Sequence, residues 1–392
     1  MIGAGLGGAA CAVNLVRRGW RVTLLDAEHG PAQGASALPV GMLSPHVTRA
    51  PTPLSRLCAL GVADARREIE RQLLPGGGWQ PTEVDNLGHD PGRWPAALVR
   101  PSALVNAWMR EAAASGRLEL LWGARVTRLE RTAGNHWLAH GTRGQALAEA
   151  TVVVVAAAYG SSALLGAGIW TDPTTLPLRP VKGQLSLAPL EGPALAPRPM
   201  RNNGVFVPAY EDEGLPPAWP RRIWAMGSTY ERGRDDVAVD NEAHERNAES
   251  LEQMHGLAAE RLRNDLVQGQ LLGWAQVRCA SQDRLPMVGA VPDLAALAGL
   301  FGAAGARRGR LPLSAVPRLP GLFMLAALGS RGLTLAHWCG AWLAGQLNGE
   351  PSPLPADQQD LERALDPARF AWKAARRQEA RTGLSSAVPA SG

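Results

Sequence analysis

The chain has 392 residues, enough for two domains of ordinary size or one fold with a large insertion. Its 46% hydrophobic content can fill a core, but no run is long and clean enough to cross a bilayer, so a helical membrane protein is excluded. The net charge of +5 rests almost wholly on arginine, since lysine stands only at Lys182 and Lys373; such an excess is compatible with an RNA ligand without requiring one.

Gly3, Gly5 and Gly8, with Ala4 and Leu6 between them, form G-x-G-x-x-G. In a dinucleotide-binding fold the first glycine makes a tight turn. The second admits the pyrophosphate to the backbone, and the third lets the helix pack on the sheet. Residues 9–16 are small and apolar, as a helix lying close under a sheet must be, and Arg17-Arg18-Gly19 ends it with cations and a glycine. Residues 20–25 read as a strand with Asp26 at its carboxyl end. That acid stands about 20 residues past the glycines, where a ribose hydroxyl is bound, and it disfavours a 2′-phosphate. FAD and NAD both remain open at this point. A first strand should precede Gly3, where only Met1 and Ile2 stand, so a longer β-branched strand is expected upstream. Met1 leads directly into the glycine turn, so no secretory signal is expected.

Residues 30–45 form a loop of small residues, 55–74 a charged helix, and 75–94 a turn-rich stretch. Residues 102–114 read as a helix capped by Ser102 after Pro101. Residues 118–122 and 126–131 read as strands of a hairpin or edge, and 151–157 as a buried strand re-entering a parallel sheet. From 173 to 313 the pattern changes to short strands, proline-rich turns and one charged helix, 241–263. A second buried strand, 322–328, ends in Gly329-Ser330-Arg331-Gly332-Leu333, and a helix follows to about Asn348. The tail past Thr382 reads as disordered.

The fold class is α/β plus α+β: a discontinuous Rossmann-like FAD-binding domain with an inserted, mainly antiparallel substrate domain. The nucleotide domain takes 1–50, 96–170 and 318–382; the substrate domain takes 51–95 and 171–317; 383–392 is the tail. A glycine-rich turn at each end of the chain fits a flavoprotein better than a simple NAD dehydrogenase. Cys11, Cys58, Cys279 and Cys339 are scattered, with no metal spacing, which predicts free thiols in a reducing cytoplasm and no metal.

Three segments then point to a family. The run from Arg278-Cys279-Ala280-Ser281-Gln282-Asp283 to Leu285-Pro286-Met287-Val288-Gly289 resembles the R-x-x-T-x-D-x-x-P-x-x-G segment of the D-amino-acid oxidase and glycine oxidase superfamily. Residues 322–333 resemble that superfamily's C-terminal flavin turn. The wording of both, and of Gly227-Ser228-Thr229-Tyr230-Glu231-Arg232-Gly233, is closer still to the FAD-dependent oxidase domain of the bifunctional enzymes of tRNA 5-methylaminomethyl-2-thiouridine biosynthesis. Two departures stand out: Leu38 replaces the usual asparagine of the 34–41 loop, and Ala157-Ala158 replaces the usual Asn/Thr-Gly.

The resemblance implies a non-covalent FAD held at Gly3, Ala4, Gly5, Leu6, Gly8, Asp26, Ser36, Gly41, Val126 and the 329–333 turn. It implies oxidation of the carboxymethylaminomethyl group of a wobble uridine in tRNA to an aminomethyl group and glyoxylate. Dioxygen would restore the flavin, and a separate methyltransferase would be a further partner. Arg278 would bind the substrate carboxylate as a bidentate fork, unless it is tied to a core acid such as Asp283. Arg331 would face the flavin or the substrate, and Gln184, beside Gly183, would contact substrate. No general base is nominated. Two alternatives stay open: an oxidase or dehydrogenase of free glycine, sarcosine or D-amino acids, and a flavin-free tRNA-binding module.

Overall fold

The computed structural model describes residues 1–217, 219–303 and 312–385. Two sheets organise them. The first is parallel at its centre: Leu118–Leu121 pairs with Val22–Leu25, and Val153–Val155 pairs with Arg318–Ala326. Met1 and Ile2 join the two pairs. Leu25 N–H donates to Met1 O at 2.9 Å and Ala156 N–H donates to Ile2 O at 2.8 Å, so a two-residue stub occupies the central strand position. Met287–Pro292 closes the far edge antiparallel to Arg318–Ala326.

The helix Leu6–Arg17 lies under this sheet and is buried from Leu6 to Val16. Its small side chains are a packing requirement. A Cβ on Gly340 of the helix Gly332–Leu347 would stand 2.7 Å from Cys11 N, so the two helices touch almost backbone to backbone. The helices Pro53–Gln72 and Pro101–Ala114 complete the layer and share one apolar core with it. Pro101 opens the latter helix after Arg100, which is the N-cap; Ser102 lies inside and its hydroxyl accepts from Arg100 Nη1 at 3.1 Å.

The second sheet has nine strands, and the long strand Leu178–Pro189 is its spine. Trp79–Asn86 and Gly92–Val99 pair within this sheet, where the sequence predicts turns. Their prolines misled that reading. Pro81 stands where Trp79–Asn86 has no partner on its other flank, so its missing N–H breaks no ladder. Gly41–Leu43 adds a further strand, so the 30–45 loop is partly ordered by pairing.

Leu118–Leu121 and Val126–Arg131 do not pair with each other. The second begins a separate antiparallel sheet with Trp137–Gly141 and Ala146–Ala150. The charged helix expected over 241–263 is two helices, Asn241–Glu252 and Gly256–Val267, broken where His255 caps the second by accepting Ala258 N–H at 3.1 Å. These helices cover one face of the nine-stranded sheet through Phe206, Trp224, Met226 and Leu262. The helix Arg369–Ser385 runs through 383–385, part of the tail expected to be disordered; 386–392 lie outside the described residues.

Alternation along Leu178–Pro189 decides what faces what. Lys182, Gln184 and Ser186 point to the covering helices, while Gly183 and Leu185 point to the open face. That open face and the carboxyl ends of the parallel strands enclose a single cleft.

Candidate active site

The cleft has a volume of about 680 Å³ and runs from the glycine turn to the spine of the nine-stranded sheet. Its first end is built from backbone. Gly3 has φ +106°, and a Cβ there would stand 2.5 Å from Ala156 O. A Cβ on Gly8 would collide with the Gly3 carbonyl oxygen. The helix that starts at Leu6 has no acidic residue in its first turn, so its positive end is not neutralised from within. Ser36 Oγ accepts the Leu6 N–H at 3.0 Å, which brings the 34–37 turn onto that helix end. Asp26 lies against the same turn: one carboxylate oxygen accepts Ala4 N–H at 2.6 Å and the other accepts Glu28 N–H at 2.8 Å. Ala124 N–H donates to Asp26 O at 2.8 Å, which draws the segment leading to Val126 alongside. A helix N-terminus with no acid in its first turn, room for close approach and the Asp26 carboxylate beside them fit the adenosine and pyrophosphate of a dinucleotide.

The middle of the cleft joins three distant segments. A Cβ on Gly41 would stand 2.6 Å from Leu333 Cδ1, and one on Gly332 would stand 3.0 Å from Leu6 Cδ1. Gly41, Leu333 and Leu6 therefore meet, with Leu38 lining the wall where the resemblance expects an asparagine. The turn Gly329–Arg331 leads into Gly332–Leu347, whose first turn also holds no acid. Ala158, also in the wall, has φ +50°, the left-handed conformation that the usual glycine adopts without strain. Arg331 Nη2 lies 3.2 Å from His46 Nε2. Burial first, then the charges of Arg331, Arg201 and Arg284, push the His46 imidazole down to about 4, so it is neutral at pH 7. His46 thus lines the cleft, where sequence alone favours a surface histidine over a flavin neighbour.

The far end is built from side chains. Arg278 rises from the strand Leu272–Ser281 and lies across Gly183 of the neighbouring strand. A Cβ on Gly183 would collide with the guanidinium, so the glycine supplies the room. Arg278 Nη2 donates to Thr229 O at 2.6 Å and Lys182 O at 3.2 Å, and Nη1 donates to Ser228 Oγ at 2.9 Å. Its Cζ lies 5.1 Å from the Tyr230 ring centroid. Burial lowers its pKa from the ordinary arginine value. Asp283 is not its partner: that carboxylate is held by Arg369, at 2.8 and 2.9 Å. Arg201, which sequence reasoning did not single out, also has neutral partners, donating to Ser44 Oγ and Pro45 O at 2.7 Å and to Asn86 Oδ1 at 3.0 Å. Among the described residues, no ion pair joins Arg201, Arg278 or Arg331 to an acid, and no Asp or Glu lines the middle or far end of the cleft. Half-buried cations with no acid beside them make this part of the cleft a site for an anionic ligand.

Gln184 is corrected. It is fully buried on the opposite face, where its amide donates to Asp240 O at 2.7 Å and accepts Asp240 N–H at 2.9 Å. The Gly183-Gln184 pair marks the site through the glycine. Cys279, next to Arg278, is pushed up to about 12 by burial and holds its proton; all four cysteines are buried and free. No group of metal-binding side chains occurs among the described residues, and no described helix is long and apolar enough to cross a membrane.

A family model described as FAD dependent oxidoreductase matches residues 1–97 and 92–346. The chain is 35% identical over 419 residues to the tRNA 5-methylaminomethyl-2-thiouridine biosynthesis bifunctional protein MnmC of Paracidovorax citrulli, covering 94% of this chain and 60% of that protein. It is 34% identical over 422 residues to the protein of that name from Azoarcus sp., covering 96% and 60%. The chain thus spans about 60% of the length of these curated relatives. Among solved structures it is similar to iminodiacetate oxidase from Chelativorans sp. (TM-score 0.64, 21% identity, 91% of this chain and 97% of that one). It is also similar to glycine oxidase from Geobacillus kaustophilus (TM-score 0.63, 19% identity, 90% and 95%). These two likenesses show the fold.

Proposed function

The chain belongs to the FAD dependent oxidoreductase family, and from that premise we propose that it oxidises the carboxymethylaminomethyl group of a wobble uridine in tRNA. The observation that carries the reading is Arg278, a half-buried guanidinium with no acid of its own, lying across Gly183 into the cleft. The names of the 35% and 34% identical relatives supply the substrate class.

Bound FAD would supply the two-electron oxidation of the carboxymethyl C–N unit, after which hydrolysis by water gives aminomethyl uridine and glyoxylate. The residues of the glycine end would hold its adenosine and pyrophosphate, and the 329–333 turn with Gly41 would border its ring. The planar fork of Arg278 matches the substrate carboxylate and fixes its direction, which is the entropic part of the catalysis. The positive field of Arg278, Arg201 and Arg331 disfavours an ammonium in the cleft, so it helps the substrate amine shed its proton to solvent. Neutral His46 adds no charge to that field at pH 7, and no general base is assigned. Arg331 lends positive charge to the flavin end, where the oxidation deposits negative charge. Cys279, protonated and buried, offers no thiolate for a covalent flavin link. The same reading has tRNA as the partner, a methyltransferase activity acting on the product, and a cytoplasmic setting.

The test incubates the FAD-loaded protein with tRNA carrying the carboxymethylaminomethyl uridine, and separately with glycine, sarcosine and D-alanine. Nucleoside mass spectrometry and glyoxylate release are the readouts. Conversion of the tRNA nucleoside with one equivalent of glyoxylate is expected. Turnover of the free amino acids with unchanged tRNA overturns the reading.

A further inference from the structure

Resting on that reading, we propose that Tyr230 is the platform on which the substrate's nucleobase stacks. Tyr230 lines the cleft and is 48% exposed, the one aromatic among the exposed large hydrophobic side chains of the described residues. A ring left that open gives up apolar burial, and its place at the rim of an anion-binding cleft gives the exposure a use.

Its position is tied to the carboxylate anchor. The residue before it, Thr229, accepts Arg278 Nη2 through its carbonyl at 2.6 Å, and the ring centroid is 5.1 Å from the same guanidinium. Thr229 Oγ1 in turn accepts Gln184 N–H at 2.9 Å and donates to Glu231 at 3.0 Å, so the segment carrying the ring is pinned on both sides. In the proposed substrate four single bonds separate the carboxylate carbon from the pyrimidine ring, an arm of about 5 Å when extended. A carboxylate on Arg278 therefore brings the base within reach of the Tyr230 face. Arg232, itself exposed, lies over the ring with its Cζ 5.7 Å from the centroid, so a base that stacks there would meet or displace a solvent-facing guanidinium. Stacking tolerates any base, so Tyr230 separates base-bearing N-substituted glycines from free amino acids; it does not choose uridine.

The experiment compares wild type, Tyr230→Ala and Tyr230→Phe as holoproteins matched for flavin content and melting temperature. Dissociation constants are read from the flavin spectrum for the carboxymethylaminomethyl uridine nucleoside and for sarcosine. Fluorescence anisotropy gives binding of an unmodified anticodon hairpin. Tyr230→Ala should weaken nucleoside and hairpin about tenfold or more and sarcosine less than twofold, and Tyr230→Phe should match wild type. Equal weakening of sarcosine makes Tyr230 only a prop for Arg278 and overturns the platform; so does no weakening of the base-bearing ligands. Wild type that oxidises sarcosine but leaves modified nucleoside and tRNA untouched sinks the proposed function alone. Hairpin binding then decides the platform: dependence on Tyr230 sustains it, and absent or Tyr230-independent binding overturns it.

Discussion

At the glycine end of the cleft the groups offered to a ligand are backbone N–H donors; at the far end they are guanidinium N–H donors. The first kind is fixed by close approach: Gly3, Gly8 and Gly340 keep strand, turn and helices almost in backbone contact. The second is fixed by acceptors, with Val181 O, Lys182 O, Thr229 O and Ser228 Oγ holding Arg278 and leaving its charge unpaired. The two ends should therefore fail differently. On the proposed function, damage to the first should remove the cofactor, and damage to the second should remove the substrate and leave the cofactor in place.

The largest effect is expected from Gly8→Ala, whose Cβ meets the Gly3 carbonyl and cannot be relieved by a rotamer change. Overpacking of this kind costs about 1–3 kcal/mol or more. The variant should purify with little flavin and a lowered melting temperature, and a full flavin spectrum would break the comparison.

Gly183→Ala should do the opposite. The new methyl group displaces the Arg278 guanidinium, so flavin content holds while kcat/KM falls roughly 100-fold, as expected for a misplacement of about 1 Å. Steady-state kinetics on the flavin-loaded variant checks this, and loss of flavin would show that the ends are not separable.

A smaller effect concerns His46, where the two ends meet. Its value is about 4 folded and about 6.5 in an unfolded chain. As pH falls from 6.5 to 4 the unfolded chain takes up a proton that the folded protein refuses, so stability declines across that window and levels off below it. The half-buried ring keeps the decline modest. Denaturant melts of wild type and His46→Asn should differ in slope between pH 6.5 and 4 and run parallel above 7.

Ala158→Gly should give the smallest change, a gain of about 0.5–1 kcal/mol, because the left-handed φ of +50° strains alanine by more than glycine loses in chain entropy. A lower melting temperature would contradict that.

These differences also explain what was legible in the sequence. The G-x-G-x-x-G run, Asp26 and the 329–333 turn are local, and glycines needed for close approach stand in fixed spacing, so the first end could be read directly. Arg278 was readable as a residue type in a family segment, but its setting was not. Gly183 supplies room across a strand pair, and Tyr230 and Ser228 come from a third strand's end; their segments read as family wording, but nothing local shows that they meet Arg278, and nothing local marks Arg201, which comes from a fourth strand. Gln184 failed by one residue, because a single step along a strand reverses the face. The 79–99 strands were hidden for a similar reason, since prolines break a strand only where a neighbour needs their N–H.

The most direct test of this division is a flavin-spectrum titration of Arg278→Gln with an N-substituted glycine such as sarcosine. A full complement of FAD with binding weakened roughly tenfold or more is expected, since a hydrogen bond to a charged group contributes about 1.5–3 kcal/mol. Unchanged sarcosine binding, or a variant that loses its flavin, would contradict it.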